Sequence, residues 1–167
     1  MNCMRMRLSI IKMSSINWKD KCWVTTIFLV NSNHKVLLTW NKNIQTWIPV
    51  GGHIDEGETP EEAIKREVAE ETGFDFSFHE DSHEENNGKV RVVKPHRFQI
   101  EEVPHHNIHM NFIFYGKCTR WNNKLETDEQ EKLRWFSKEE LMKEKENFLP
   151  NVHNQALEAI DLANRNN

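Results

Sequence analysis

GHIDEGETPEEAIKREVAEETGF, from Gly52 to Phe74, is the stretch whose reading decides the fold. It holds seven glutamates, one aspartate, Lys65 and Arg66 in 23 positions. Its middle has the two ends of a helix. Thr59 is a good N-cap, Pro60 suits the first helical position, and Glu62 completes a capping box. Gly73 ends the helix as a left-handed C-cap does. The predicted helix therefore runs from about Pro60 to Thr72. With residues about 100° apart around the axis, Glu67, Glu70 and Glu71 share one sector. Ile64 and Val68 lie beside that sector and Ala63 within it, so the carboxylates flank the buried face. Lys65 points away from them. Arg66 sits next to Glu70 and can reach back toward Glu58 or Glu62.

Like charges at i, i+3 and i+4 cost a bare helix a few tenths of a kcal/mol per pair. Two readings account for them. One is a solvated face with scattered ion pairs; on either reading Glu61 and Asp55 are expected to be surface charge. The other is a site for a hard divalent cation such as Mg²⁺ or Mn²⁺, which takes oxygen ligands. The Gly51-Gly52 turn before the helix would add backbone carbonyls.

Outward from the helix the chain reads as strands. Cys22–Val30 and Lys35–Trp40 form a hairpin around the turn residues Asn31–His34. After the helix, FDFSF is a short strand, and the polar run His79–Gly88 is expected to be a mobile loop. KVRVVKPHRFQIEEV holds one or two strands interrupted at Pro95. His109–Cys118 is a strong strand. KLRWFS is a short strand, and KEELMKE is a short helix opened by Ser137. The last helix carries Val152, Ala156, Leu157, Ile160 and Ala163 at helical spacing. This order predicts an α/β fold, a mixed β-sheet between helices.

The chain has 167 residues, 37% hydrophobic and 29% charged, with a formal net charge of −4. Such a length suits one domain, expected over residues 15–167, after an N-terminal extension over residues 1–14 expected to be disordered. The acidic balance argues against a broad grip on duplex nucleic acid. Three scattered cysteines without a CxxC point to a reducing cytoplasm. No apolar run approaches the ~20 residues of a membrane span.

The spacing Gly52, five residues, Glu58, seven residues, then Arg66-Glu67-Val68-Ala69-Glu70-Glu71-Thr72-Gly73-Phe74 meets every fixed position of the Nudix box. A chance match has odds on the order of one in 10⁸ per start. The chain therefore resembles the Nudix hydrolases, with looser likeness in WIPVGGH and LRWFSKEEL. Val50 stands directly before the Gly-Gly pair, where many members have proline.

The resemblance implies an α/β/α sandwich and metal-dependent hydrolysis of a diphosphate linkage in a nucleoside diphosphate-linked compound. It implies Glu67, Glu70 and Glu71 as ligands of Mg²⁺ or Mn²⁺, with the Gly52 carbonyl. Arg66 would hold the glutamates, paired with Glu58. The general base would be a box glutamate or a loop carboxylate, here Glu129 or Glu131. The first-choice substrate is a nucleoside triphosphate, an oxidised one included, cleaved to monophosphate and pyrophosphate. ADP-ribose or a nucleotide sugar is the alternative, and a non-catalytic nucleotide-sensing module is a third. The resemblance leaves room for a homodimer. Trp40 and Trp47 are candidates to stack on a base, against the plainer reading of core or rim packing. His109 and Asn111, on one face of their strand, are candidates to hydrogen-bond the substrate.

Overall fold

The computed structural model describes residues 21–79, 84–87, 90–103, 108–120 and 133–165. The expected N-terminal extension over residues 1–14 lies outside them, as do Glu129 and Glu131. The leading hairpin forms as the sequence predicts, with β1 Lys21–Val30 and β2 Val36–Asn41 joined by a tight turn. Asn31 builds that turn. Its Oδ1 accepts from the backbone N–H groups of Asn33 and Lys35, both at 3.0 Å. Short strands β3 Thr46–Ile48 and β4 Val50–His53 lead to α1 Pro60–Thr72. Both halves of the α1 capping box are made, between Thr59 and Glu62, and Gly73 closes the helix at φ 65°.

After α1 come β5 Asp75–Phe78, β6 Glu84–Asn87, β7 Val90–Val93, β8 Arg97–Glu102 and β9 Ile108–Arg120. Strand β6 corrects the expectation of a mobile loop over His79–Gly88. It pairs antiparallel with β7 as a separate two-stranded sheet. The ladder forms through backbone groups, which need only an extended partner, and valine-rich β7 supplies one. His79 is also buried, with its N–H bonded to the Tyr115 carbonyl at 2.9 Å. The chain ends with β10 Leu133–Phe136, α2 Lys138–Lys143 and α3 Pro150–Arg165.

The main sheet has the order β10-β2-β1-β9-β5. β3 adds to β2, β4 to β1, and β8 to β9. β1 and β9 run parallel from Lys21 opposite Ile108 to Val30 opposite Lys117, and the other pairs are antiparallel. Helices cover both faces, so β1 is apolar on both sides rather than alternating. Ile27 and Leu29 pack with Ile64, Val68 and Phe74 on the α1 side. Phe28 and Val30 pack with Val152, Ala156 and Ile160 on the α3 side. The result is an α/β/α sandwich around a mixed sheet.

Candidate active site

Two adjacent glycines set the geometry in front of α1. Gly51 has φ +149°, and a Cβ there would lie 2.1 Å from the Thr25 carbonyl oxygen of β1. Only glycine lets β4 pass so close to β1 at this point. At Gly52 the obstacle is a side chain. A Cβ there would lie 2.3 Å from Oε1 of Glu67. The missing Cβ thus makes room for the Glu67 carboxylate against the β4 backbone.

Arg66 organises the acids around it. Its Nε and Nη2 donate to the two oxygens of Glu58, each at 2.8 Å. Nη1 donates to Glu67 Oε1 at 2.8 Å and to Glu70 Oε2 at 3.4 Å. Nη2 also reaches the His53 carbonyl at 3.0 Å. The planar guanidinium suits this fork, since bidentate pairing fixes orientation as well as charge. The Arg66 guanidinium, helped by the Asp55 backbone N–H, holds the Glu58 carboxyl down to about 2. Glu58, and Glu67 after it, push the guanidinium pKa up, so it stays charged at any working pH. Of the two partners that the sequence offered Arg66, the structure selects Glu58, and Glu62 caps the helix instead.

Glu67, Glu70 and Glu71 stand at the predicted spacing but in different surroundings. The Glu67 side chain is 14% exposed and that of Glu70 62%. Oε2 of Glu71 is closed off from solvent. Glu61 departs from the expected surface charge. It is buried and takes the Lys65 ammonium as its partner. The alkyl stem of Lys65 lets it reach back one turn while its head stays wet.

The donor set fits a hard cation in its chemistry, and the missing Cβ of Gly52 lets one carboxylate lie against the β4 backbone. Yet no three acidic, histidine or cysteine side chains converge on a common point among the described residues. Arg66 pairs with Glu67 at 2.8 Å and with Glu70 at 3.4 Å.

The opposite face of the sheet holds a second polar group. Asn111 is buried. Its Oδ1 accepts from Thr26 Oγ1 at 3.2 Å, and its Nδ2 donates to Glu101 Oε1 at 3.3 Å. Gln99 Nε2 donates to the same Glu101 oxygen. Gln99 Oε1 in turn accepts from Gln155 Nε2 at 2.8 Å. The His109 ring meets the His53 ring edge-on, 5.5 Å between centroids. His53 thus links the two sides, with its carbonyl on Arg66 and its ring on His109. Sequence reading singled out His109 and Asn111 and missed Thr26, His53, Gln99, Glu101 and Gln155. The alternation of Gln99 and Glu101 with Phe98 and Ile100 was the available signal.

Trp47 sits at the rim of the α3-side core. Trp40 and Trp47 face each other across β2 and β3 with ring centroids 5.3 Å apart. Trp47 also packs edge-on to Phe136 at 5.0 Å. This geometry supports the packing reading for Trp47.

A sequence model of the NUDIX domain matches residues 21–157. The chain belongs to the NUDIX family. A Bacillus subtilis (strain 168) relative, named as a candidate 8-oxo-dGTP diphosphatase, is 28% identical over 111 residues. That match covers 66% of this chain and 63% of the relative, so the chain spans under two thirds of that protein's length. A NUDIX-family hydrolase structure from Clostridium perfringens superimposes with a TM-score of 0.68 at 27% identity. It covers 84% of this chain and 97% of its own. A NUDIX hydrolase from Nitrosomonas europaea shares the fold at a TM-score of 0.61 and 19% identity, covering 86% of this chain and 90% of its own.

Proposed function

We propose that this NUDIX chain is a divalent-metal-dependent pyrophosphohydrolase. It would cleave the diphosphate linkage of a nucleoside diphosphate-linked compound. The observation that carries this reading is the Arg66-organised carboxylate set against Gly52, within a box whose fixed positions are all met. Glu67, Glu70, Glu71 and the Gly52 carbonyl would hold Mg²⁺ or Mn²⁺. The bound cation would neutralise phosphate charge and lower the pKa of the attacking water. The chain's own part is positioning. Glu58 fixes Arg66, Arg66 fixes Glu67, and the buried flank of α1 fixes the helix against β4. A carboxylate takes the proton as the water oxygen bonds to phosphorus and the bridging P–O bond breaks. Glu70 and Glu71 stand within the site for that role, and Glu129 and Glu131 remain the loop candidates.

The substrate we favour is a nucleoside triphosphate, an oxidised one included, giving the monophosphate and pyrophosphate. The name of the B. subtilis relative supports that choice. The polar line Thr26-Asn111-Glu101-Gln99, with His109 on the same sheet face, offers donors and acceptors to a base, and Trp40 remains a candidate to stack on it. The free thiol of buried Cys118 suits a reducing cytoplasm. No helix among the described residues is long and apolar enough to cross a membrane.

The test is a substrate panel with Mg²⁺ or Mn²⁺ and chromatographic identification of products. Pyrophosphate with a nucleoside monophosphate supports the reading. A sugar phosphate with a nucleoside monophosphate moves it to ADP-ribose or a nucleotide sugar. Nucleotide binding with no turnover of any substrate would replace the enzyme by a sensing module.

A further inference from the structure

Strand β9 changes partner along its outer edge. β8 pairs with it from Ile108 to Ile113, and β5 from Gly116 to Arg120. Phe114 and Tyr115 lie between the two ladders, and two histidines close that gap. His79 follows β5, and its N–H donates to the Tyr115 carbonyl at 2.9 Å. His96 precedes β8. Its backbone N–H donates to the Ile113 carbonyl at 2.8 Å, and its Nδ1 accepts from the Tyr115 N–H at 3.1 Å. The His96 ring stacks on the Tyr115 ring, 4.5 Å between centroids, and meets the His79 ring at 5.8 Å.

An imidazole nitrogen accepts a hydrogen bond only while it carries no proton. The Tyr115 N–H therefore selects the neutral His96 ring with its proton on Nε2, an atom closed off from solvent. A proton on Nδ1 would set two N–H groups against each other. Turning the ring over would bring a C–H to the same place, so neither orientation restores the bond. The surroundings give the added charge little relief. Around the ring stand His79 after β5, Tyr115 on β9, Arg97 on β8 and, beyond the tyrosine hydroxyl, Glu158 on α3. Arg97 is a cation, and His79 can only add charge of the same sign. Glu158 is the one acid among these four. Its Oε2 already takes Arg97 Nε, Arg97 Nη2 and the Tyr115 hydroxyl, at 3.0, 2.7 and 2.7 Å.

This joint holds one end of a strand that serves the site. β8 carries Gln99 and Glu101, which bond to each other and to Asn111. We propose that His96 is a pH-sensitive latch on β8. Neutral, it fastens the start of β8 to β9. Protonated, it releases that end and loosens the Gln99-Glu101-Asn111 set. The carboxylates around Arg66 lie on the opposite face and take no part. The latch itself does not depend on the hydrolase reading, whereas its effect on turnover rests on it.

The test is NMR of the full metal-free chain from about pH 7.5 to about pH 5.5, the range in which an imidazole ordinarily changes charge. In long-range ¹H–¹⁵N spectra His96 should carry its proton on Nε2 at the upper end. Its gain of a proton on Nδ1 should coincide with shifts of the Tyr115, Arg97 and Gln99 amides. His96→Asn offers Oδ1 to the Tyr115 N–H without titrating, and those amides should then stay in place. On the best nucleotide of the panel, KM of the natural chain relative to His96→Asn should be near one at the upper pH. At the lower pH it should rise about threefold or more, the scale of one lost hydrogen bond. Taking the ratio removes the titration of the substrate itself. His96 neutral throughout, a protonated His96 with the Tyr115 amide unmoved, or an acid response kept in His96→Asn would overturn the latch. A KM ratio that stays at one would overturn its link to the site. A chain that hydrolyses nothing would refute the hydrolase reading, and the NMR arms would still decide the latch.

Discussion

Gly51 and Gly52 are neighbours, and alanine should act on them in opposite ways. At Gly52 the three atoms nearest the added Cβ all belong to the far end of Glu67, at 2.3 Å for Oε1, 2.6 Å for Cδ and 2.8 Å for Oε2. Ordinary contact begins near 3.4 Å, so Oε1 must retreat by about 3.4 − 2.3 = 1.1 Å. A flexible side chain can do this with little effect on folding, under about 1 kcal/mol. The retreat moves a proposed metal ligand and disturbs the Arg66 bond to it. A misplacement of about 1 Å near reacting groups costs about 10²-fold in rate, or about 2.7 kcal/mol of barrier. At Gly51 the Cβ meets the Thr25 carbonyl at 2.1 Å with φ at +149°, and backbone cannot step aside. Gly51→Ala should therefore destabilise the fold by several kcal/mol, among the larger effects of single substitutions. The assay is kcat/KM on the best substrate of the panel, with Tm measured with and without Mn²⁺. Gly52→Ala should keep its metal-free Tm while losing activity and the Mn²⁺-induced rise. A Gly52→Ala protein with full activity, or one as unstable as Gly51→Ala, would refute the reasoning.

Four further outcomes follow from the same geometry. Glu70→Gln should abolish metal-dependent hydrolysis without changing the circular dichroism spectrum; full activity would remove Glu70 from the metal set. Arg66→Lys keeps the charge but loses the two-pronged hold on Glu58, and turnover should fall about 10- to 100-fold with the fold retained. In acid titration of the metal-free protein, the Glu58–Arg66 contribution is complete above the ordinary glutamate range. It is lost as pH falls toward about 2, because the folded-state value is the lower one. Glu58→Gln should remove that part of the acid sensitivity, read from urea midpoints at pH 5 and pH 3. Burial pushes the Cys118 thiol up to about 11, so a maleimide at pH 8 should leave the Cys118 peptide unlabelled until urea is added.

What was legible beforehand follows from the range of the interactions. The ends of α1 were readable because Thr59, Glu62 and Gly73 act within a single turn. The acidic set was readable because α-helical spacing converts sequence distance directly into spatial distance. The hairpin of β1 and β2 was equally local. The line through Thr26, Asn111, Glu101 and Gln155 was not readable, since it depends on the register of β8 and β9 and on where α3 lands. Glu61 was misjudged for a similar reason. Its position on α1 is clear from sequence, but its burial depends on what packs there. The β6 strand escaped notice because polar residues pair through backbone, which leaves no pattern in the side chains.

The parallel pairing of β1 with β9 bears on how the protein comes together. Lys21 lies opposite Ile108, a separation of 87 residues, and every ladder bond between these strands closes a loop of that order. The contacts of Gly52, Glu58, Arg66 and Glu67 all lie within fifteen residues of one another. Loop closure costs grow with length, and non-local pairing slows folding. The carboxylate half of the site can therefore take shape in a growing chain as soon as α1 packs on the first hairpin. The half containing Asn111 waits until β9 has been made and docked.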